Sequence, residues 1–215
     1  MNPIKKALNK ESTAGVVFSL PFTIGFLLFM IVPMGLSLYY SFCKYNILSP
    51  PVFTGLDNFK NMIADGTFLQ TIKVTFFFAF VSVPLKLIFA LLVAMLLLKN
   101  TKMSGIYRAA YYLPSIIGGS VAVAILWKRM FAMDGVVNKL LGSIGIKTSI
   151  SWLGDTKTAI WILILLAVWQ FGSSMLIFLS SLKQIPTSLY EAAMVDGANP
   201  VSRFFKITLP LLTPT

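Results

Sequence analysis

The chain has 215 residues, of which 57% are hydrophobic and only 12% are charged, about half the charge of a typical soluble domain. So little polar surface excludes an ordinary soluble enzyme and a disordered chain, and a single cysteine, Cys43, excludes a disulfide scaffold. The absence of histidine excludes His-ligated metal sites, and the net charge of +11 lies at the ends of apolar runs and forms no nucleic-acid-binding patch. The composition therefore predicts a membrane protein with several spans.

Four apolar runs are each long enough to cross a ~30 Å hydrocarbon core, which takes about 20 helical residues. They cover residues 14–42, 74–98, 109–127 and 159–182. Backbone groups must be paired in lipid, and Leu91–Leu98 does not alternate as a barrel strand would, so the runs are predicted to be helices. The first run is too long for a cleaved signal sequence, and Pro21 and Pro33 within it predict kinks.

Basic residues at the span ends favour a cytoplasmic N-terminus. The segment 99–108, which would then be cytoplasmic, holds three Lys or Arg in ten positions, whereas the outer segment 44–73 holds three in thirty. The outer loops 44–73 and 128–158 each contain a short amphipathic segment, as in the helical face shared by Phe59 and Met62. These segments either cap the span ends or help to dock a partner outside the membrane.

Lys86 is a charged residue in the middle of the second run, with twelve residues of the run on each side. At ~1.5 Å per residue, each side is ~18 Å of helix, so the lysine stem does not easily reach either surface. Pro84 offers a bend. An intramembrane charge is a candidate for a translocation pathway, and the alternative is a lysine that faces a wet seam between helices.

The fourth run carries aromatic, amide, hydroxyl and small residues near its middle. These residues are Trp169, Gln170, Gly172, Ser173 and Ser174. A ring with hydrogen-bonding groups is suited to a sugar, so Trp169, Gln170 and Ser173 are candidate substrate-pathway residues together with Lys86. Small residues and hydroxyls also join helices in lipid, and both interpretations stay open. They stay open as well for Tyr111, Tyr112 and Ser115 in the third run, where tyrosines also serve as interface anchors.

The segment after the fourth run, residues 183–211, is patterned for two short helices. Ser188 and Glu191 have the spacing of a capping box, with Gly197 as the helix stop. A second helix is predicted to begin at Asn199-Pro200, and Pro210 and Pro214 are predicted to break it. Ala192 and Ala193 give the first helix a smooth surface on which another protein could pack.

Three motifs in this segment resemble the EAA loop of ABC importer permeases: Glu191-Ala192-Ala193, Asp196-Gly197-Ala198 and Ile207-Thr208-Leu209-Pro210. The rest of the chain is similar to the binding-protein-dependent sugar permeases of the maltose, lactose and glycerol-3-phosphate type, and to the first of their two permease subunits. The segments that carry this similarity are Gly55-Leu56-Asp57-Asn58-Phe59, Arg108 to Pro114, Trp127-Lys128 and Trp169-Gln170-Phe171-Gly172.

The resemblance implies an all-α polytopic bundle of the ABC importer permease type, in a single transmembrane permease domain. Four of about six expected spans are present, and the last two would follow Thr215. It implies that residues 183–211 form a cytoplasmic coupling loop in the inner membrane protein, and that the N-terminus is cytoplasmic too. The residues that would contact the ATPase are Glu191, Ala192, Ala193, Asp196 and Gly197.

The implied partners are a cytoplasmic ATPase dimer, a second permease subunit that forms a heterodimer with this one, an extracytoplasmic sugar-binding protein and membrane lipid. The chain itself would be no enzyme and would hold no cofactor, because it has no G-x-x-x-x-G-K-[ST] motif and ATP must bind a separate subunit. The substrate would be a sugar, a polyol or a phosphorylated glycerol. The alternative is an ion-coupled secondary transporter or channel with Lys86 in its pathway, which needs no ATPase.

Overall fold

The computed structural model describes residues 11–99, 102–146 and 150–212, with side chains from residue 15. The predicted cytoplasmic N-terminal residues 1–10, Pro214 and the end at Thr215 lie outside the described residues. The chain divides into two compact units, Met1–Lys73 and Val74–Thr215. Helices dominate both, which confirms the predicted all-α class, although the described part of the first unit also contains a two-stranded hairpin.

The first unit begins with a long apolar helix that contains one wide turn. Helix α1 (Glu11–Phe26) continues through a π-helical turn (Leu27–Ile31) into α2 (Val32–Ser41), and together they give a 27-residue candidate span from Gly15 to Ser41. Pro33 is the second residue after the π-helical turn. Because proline has no N–H and its ring crowds the preceding turn, a wider turn at this point accommodates it.

A hairpin and a short helix follow this span. Strands β1 (Cys43–Asn46) and β2 (Ser49–Phe53) pair antiparallel, and prolines are tolerated in β2 because both strands of a two-stranded sheet are edges. The sequence analysis did not predict this hairpin. It did predict a helix in the loop, and α3 (Asp57–Ala64) is that helix. Asn58 fastens it, since its Nδ2 donates to the carbonyl oxygens of Ser41 and Cys43 at 2.9 Å each.

Helix α4 (Gly66–Leu96) covers the second apolar run and starts earlier than predicted. Asp65 accepts the backbone N–H of Thr67 at 2.9 Å, and hydrogen bonds from Thr67 hold the pKa of the Asp65 carboxyl below its usual value. The helix runs through Pro84 without interruption. Its last turns supply Ala90 and Ala94 to the core of the second unit, and Leu97 directly after the helix joins them. The other buried members of that core are Phe171, Met175, Leu179, Leu182 and Leu212.

The third and fourth apolar runs are helical as predicted, and each is divided into two helices by a break that the sequence analysis did not predict. In the third run, α5 (Ser104–Ile117) and α6 (Val121–Met130) meet at 96°. In the fourth, α8 (Thr156–Trp169) and α9 (Gly172–Gln184) meet at 42°. The sharper break coincides with Gly118-Gly119-Ser120, where two glycines weaken the helix and Ser120 caps the next one.

The connection between these two runs contains α7 (Val136–Ser143), where a short amphipathic segment was predicted. Asn138 on this helix is only 6% exposed. Its Nδ2 donates to the carbonyl oxygens of Met133 and Ile150 at 2.9 Å each, and its Oδ1 accepts from Trp152 Nε1 at 2.8 Å. A buried amide with both ends satisfied holds the two sides of the loop together.

After α9 the chain forms α10 (Thr187–Val195), α11 (Pro200–Arg203), a second π-helical turn (Phe204–Thr208) and α12 (Leu209–Leu212). The predicted capping box of Ser188 and Glu191 is wrong, because the helix starts directly after Pro186 and no side-chain hydrogen bond caps that end. The predicted break at Pro210 is also wrong, because the π-helical turn precedes this proline and the chain stays helical.

Candidate functional site

The end of α10 is fixed by the residues that the sequence analysis selected for it. Gly197 has a φ of 75°, a left-handed conformation that favours glycine. Ala198 N–H donates to the Ala193 carbonyl at 2.8 Å, and Gly197 N–H donates to the Met194 carbonyl at 3.1 Å. This pair of bonds is a Schellman motif, so the predicted stop at Gly197 is confirmed.

The predicted start of the next helix is confirmed as well. Asn199 Oδ1 accepts the backbone N–H of Ser202 at 2.7 Å, and Pro200 stands in the first turn of α11. Its fixed φ suits that position, where no backbone N–H is needed. The turn between α10 and α11 is therefore specified by neighbouring residues.

Helix α10 has one face turned toward the protein and the rest exposed. Tyr190 is half-buried, and its hydroxyl shares a 2.9 Å hydrogen bond with the hydroxyl of Thr208, 18 residues away. Thr208 is itself only 6% exposed, so this bond fastens α10 to the following π-helical turn.

The five residues predicted to contact an ATPase lie on the exposed part of this helix–turn. Glu191, Ala192, Asp196 and Gly197 are exposed, and Ala193 is half-buried. Val195 beside them is 89% exposed and adds an apolar side chain to this surface. The arrangement gives a small apolar and acidic surface with a rigid support beneath it.

The candidate pathway residues of the fourth run lie at a second place, the junction between α5 and the α8–α9 break. Ser115 of α5 connects both sides of this break: its hydroxyl donates to the Gln170 carbonyl at 3.0 Å and accepts the Ser173 N–H at 3.1 Å. One hydroxyl thus satisfies a carbonyl at the end of α8 and an amide at the start of α9.

Two glycines allow the close approach of the helices at this junction. A Cβ on Gly172 would meet the backbone carbonyl oxygen of Tyr111 and would lie 2.7 Å from the Cα of Tyr112. A Cβ on Gly118 would meet the side chain of Gln170. These contacts favour the helix-packing interpretation of the small and hydroxyl residues. The sequence analysis selected Ser115 and Gly172 but could not identify their contact, and it missed the role of Gly118.

Aromatic rings extend the junction on both sides. Phe171 is 6% exposed and contacts Phe89 of α4 and Tyr111 of α5, with ring centroids 5.2 and 5.9 Å away. Trp169 contacts Trp127 of α6, with ring centroids 5.9 Å apart. Trp169 is therefore already packed against an indole on one side.

An open cavity of about 410 Å³ lies between α4 and α8. Its wall is almost entirely apolar, and its polar lining residues are Thr75 and Gln170. Among the described residues, Gln170 is thus the candidate pathway residue that lines this cavity. Lys86 is half-buried and stands at helical spacing between the buried Ser82 and Ala90, so it occupies the same stripe of α4 as the core.

Comparison with known proteins gives a consistent result along the whole chain. Residues 61–215 match the family described as "Binding-protein-dependent transport system inner membrane component". The chain is 55% identical over 210 residues to the probable ABC transporter permease protein YesP of Bacillus subtilis strain 168, covering 97% of this chain and 68% of that protein.

Two further similarities are to transport proteins whose names state a carbohydrate. The chain is 32% identical over 203 residues to the probable starch degradation products transport system permease protein AmyD of Thermoanaerobacterium thermosulfurigenes, covering 92% of this chain and 67% of that protein. Its fold matches a solved bacterial alginate ABC transporter in complex with an alginate pentasaccharide-bound periplasmic protein, with a TM-score of 0.77, 25% identity, and coverage of 99% of this chain and 71% of that one.

Proposed function

The chain belongs to the family of binding-protein-dependent transport system inner membrane components. We propose that it is a transmembrane subunit of an ABC importer that moves a sugar or related polyol into the cell, powered by a separate ATPase through the EAA-type coupling helix. The membership confirms the resemblance stated from the sequence. It also makes the chain a transport component of the inner membrane and no enzyme.

The proposed substrate class rests on the relatives. A permease for starch degradation products and a transporter for alginate are both similar to this chain along more than nine-tenths of its length. A carbohydrate exposes hydroxyls and an apolar ring face, so a pathway for it needs a few amide or hydroxyl groups in an apolar wall. The cavity between α4 and α8, with Gln170 and Thr75 in an otherwise apolar lining, fits that need.

We place the ATPase contact on Glu191, Ala192, Ala193, Asp196 and Gly197. The observation that carries this assignment is the combination of exposure and support: these residues stand on a short helix with an exposed outer face, while Tyr190 beneath them is bonded to Thr208. A partner that pushes on α10 would then move the segment that follows it. The ATPase shifts the conformation of the permease only by as much as its interaction free energy with α10 differs between the two ATPase states.

Further partners follow from the same proposal. An extracytoplasmic sugar-binding protein delivers the sugar from outside, and a second permease subunit completes the pathway as a heterodimer, with the N-terminus of this chain on the cytoplasmic side. Gln170 would contact substrate, with Trp169, Ser173 and Lys86 in the same pathway. The ion-coupled alternative built on Lys86 is not favoured, because the family's transport depends on a binding protein.

The test is co-purification of the ATPase from native membranes. The protein expressed from its complete reading frame, extracted in mild detergent, is expected to bring a nucleotide-binding subunit with it. Glu191→Lys should lower the amount of co-purified subunit at least about tenfold, since a reversed charge at the centre of an interface costs several times RT in binding free energy. Asp134→Lys makes the same charge reversal at an exposed residue of the outer loop and should leave the complex intact. Equal retention in both variants would refute the coupling assignment.

A further inference from the structure

A second cavity, of about 220 Å³, lies beneath the α10–α11 turn. One side is apolar and comes from the ends of α4 and α9, through Met95, Leu98 and Leu182. The other side comes from the segment after α9, and it carries the polar groups of Tyr190, Arg203 and Thr208 beside Pro200 and Phe204. Neither the helix–turn surface nor the pathway cavity uses this space.

Arg203 gives the cavity its chemistry. Its Nε is buried, and among the described residues no atom accepts a hydrogen bond from it. A buried guanidinium N–H without a partner is costly, and guanidinium pairs best with carboxylate or phosphate, which can accept two of its N–H groups at once. The hydroxyls of Tyr190 and Thr208 stand in the same lining as further hydrogen-bonding groups.

The surroundings favour an anion at a membrane surface. Three exposed lysines are close in sequence to residues that line the cavity. Lys99 follows Leu98, Lys183 follows Leu182, and Lys206 is two residues after Phe204. With Arg203 they make four positive charges, against two acids on α10 and its turn, Glu191 and Asp196. Basic clusters between the cytoplasmic ends of membrane helices attract anionic lipid headgroups.

Arg108 is a useful comparison for Arg203. Its Nε is also buried without a hydrogen-bond partner among the described residues. However, Arg108 lines neither of the two cavities described above, so there is no space in either for a ligand to reach it. Of these two arginines, Arg203 is the one beside a described cavity that a ligand could occupy.

We propose that this cavity binds one anionic phospholipid, with its phosphate group on Arg203 and the start of an acyl chain along Met95, Leu98 and Leu182. Phosphate chemistry alone could come from an inorganic ion, but an ion would leave the apolar wall in water, whereas a phospholipid covers it. The bound lipid would fasten the coupling segment to the ends of α4 and α9. The cytoplasmic position of the site rests on the proposed function.

The test counts phospholipids bound to the complete transporter by native mass spectrometry. The complex is released from nanodiscs that contain phosphatidylglycerol and phosphatidylcholine in equal amounts. The native protein should retain phosphatidylglycerol, and Arg203→Gln should lower that retention at least about tenfold, the loss expected for a hydrogen-bonded charge pair. Lys102→Gln removes the same charge from an exposed residue that neither lines the cavity nor belongs to the cluster above, and it should retain the lipid. Arg203→Lys, which keeps the charge without the planar fork, should give an intermediate loss.

Three results would overturn the assignment. Equal lipid loss in Arg203→Gln and Lys102→Gln would mean that only general surface charge is involved. Inorganic phosphate bound in an Arg203-dependent way, without anionic lipid, would make the ligand a free ion. Release of the ATPase by Arg203→Gln with lipid retention unchanged would assign the arginine to an acidic protein partner. The same preparations report whether the native protein brings an ATPase at all, so failure of the proposed function is seen separately.

Discussion

The second unit contains two helix breaks, and they are made in different ways. The 96° break between α5 and α6 is built from adjacent residues: two glycines, then Ser120, whose hydroxyl accepts the Val123 N–H at 3.4 Å. The 42° break between α8 and α9 has no side-chain cap of its own at Phe171, in the described part of the chain. It depends on Ser115, which is 55 residues away from Gln170.

The difference matters because backbone groups exposed at a break must be paired where water is scarce. At the sharp break the pairing is local and would survive if the helices moved apart. At the shallow break it is supplied by another helix, so separation of α5 from α9 would leave a carbonyl and an amide unpaired. The shallow break is therefore the one that couples helix bending to helix packing.

The largest expected effect comes from a side chain at Gly172. In Gly172→Ala the new Cβ would meet the backbone of Tyr111 and Tyr112, and backbone cannot rotate away, so we expect a loss of about 3 kcal/mol in the free energy of unfolding. Denaturant titration in mixed micelles measures it. Gly105→Ala on α5 is the matched control, because nothing lies within 4 Å of its Cβ position, and it should be neutral or stabilising by up to about 1 kcal/mol. Similar losses in the two variants would contradict the packing argument.

A smaller effect separates the two serines. Ser115→Ala removes a donor and an acceptor that serve two different helices, and we expect a loss of about 2 kcal/mol. Ser120→Ala removes one long hydrogen bond from a helix end that two glycines already allow to break, and we expect about 0.5 kcal/mol. The same titration compares them. If Ser115→Ala costs no more than the ~0.5 kcal/mol expected of Ser120→Ala, then the shallow break does not depend on its partner helix.

The same division explains what the sequence could predict. Gly197 as a helix stop and Asn199-Pro200 as a helix start were correct, because each works through hydrogen bonds to residues close in the chain. The apolar runs gave the helical class, since their composition alone requires it. The EAA pattern and its neighbours gave the family.

The features that the sequence analysis missed depend on residues outside the local motif. The breaks within 109–127 and 159–182 were not predicted, because the apolar character of a run does not locate a break, and the Gln170 carbonyl is paired with Ser115, which is distant in the chain. The capping box at Ser188 failed because Pro186 starts the helix earlier than the motif suggested. Pro210 did not end its helix, since a π-helical turn absorbs it. The bond between Tyr190 and Thr208 joins residues with no shared local pattern.

The smallest effect concerns Gly118, and it tests whether the two breaks act on one another. A Cβ on Gly118 would meet the side chain of Gln170, and a side chain, unlike the backbone beside Gly172, can swing aside. We expect Gly118→Ala to cost about 1 kcal/mol, measured as above. Combining it with Gln170→Ala should remove most of that cost, because the obstructing atoms are gone, and the double-mutant cycle then gives a coupling energy well above zero. Additive losses would mean that the sharp break and the shallow break are independent, and that Gln170 is free to serve the cavity between α4 and α8 without moving α5.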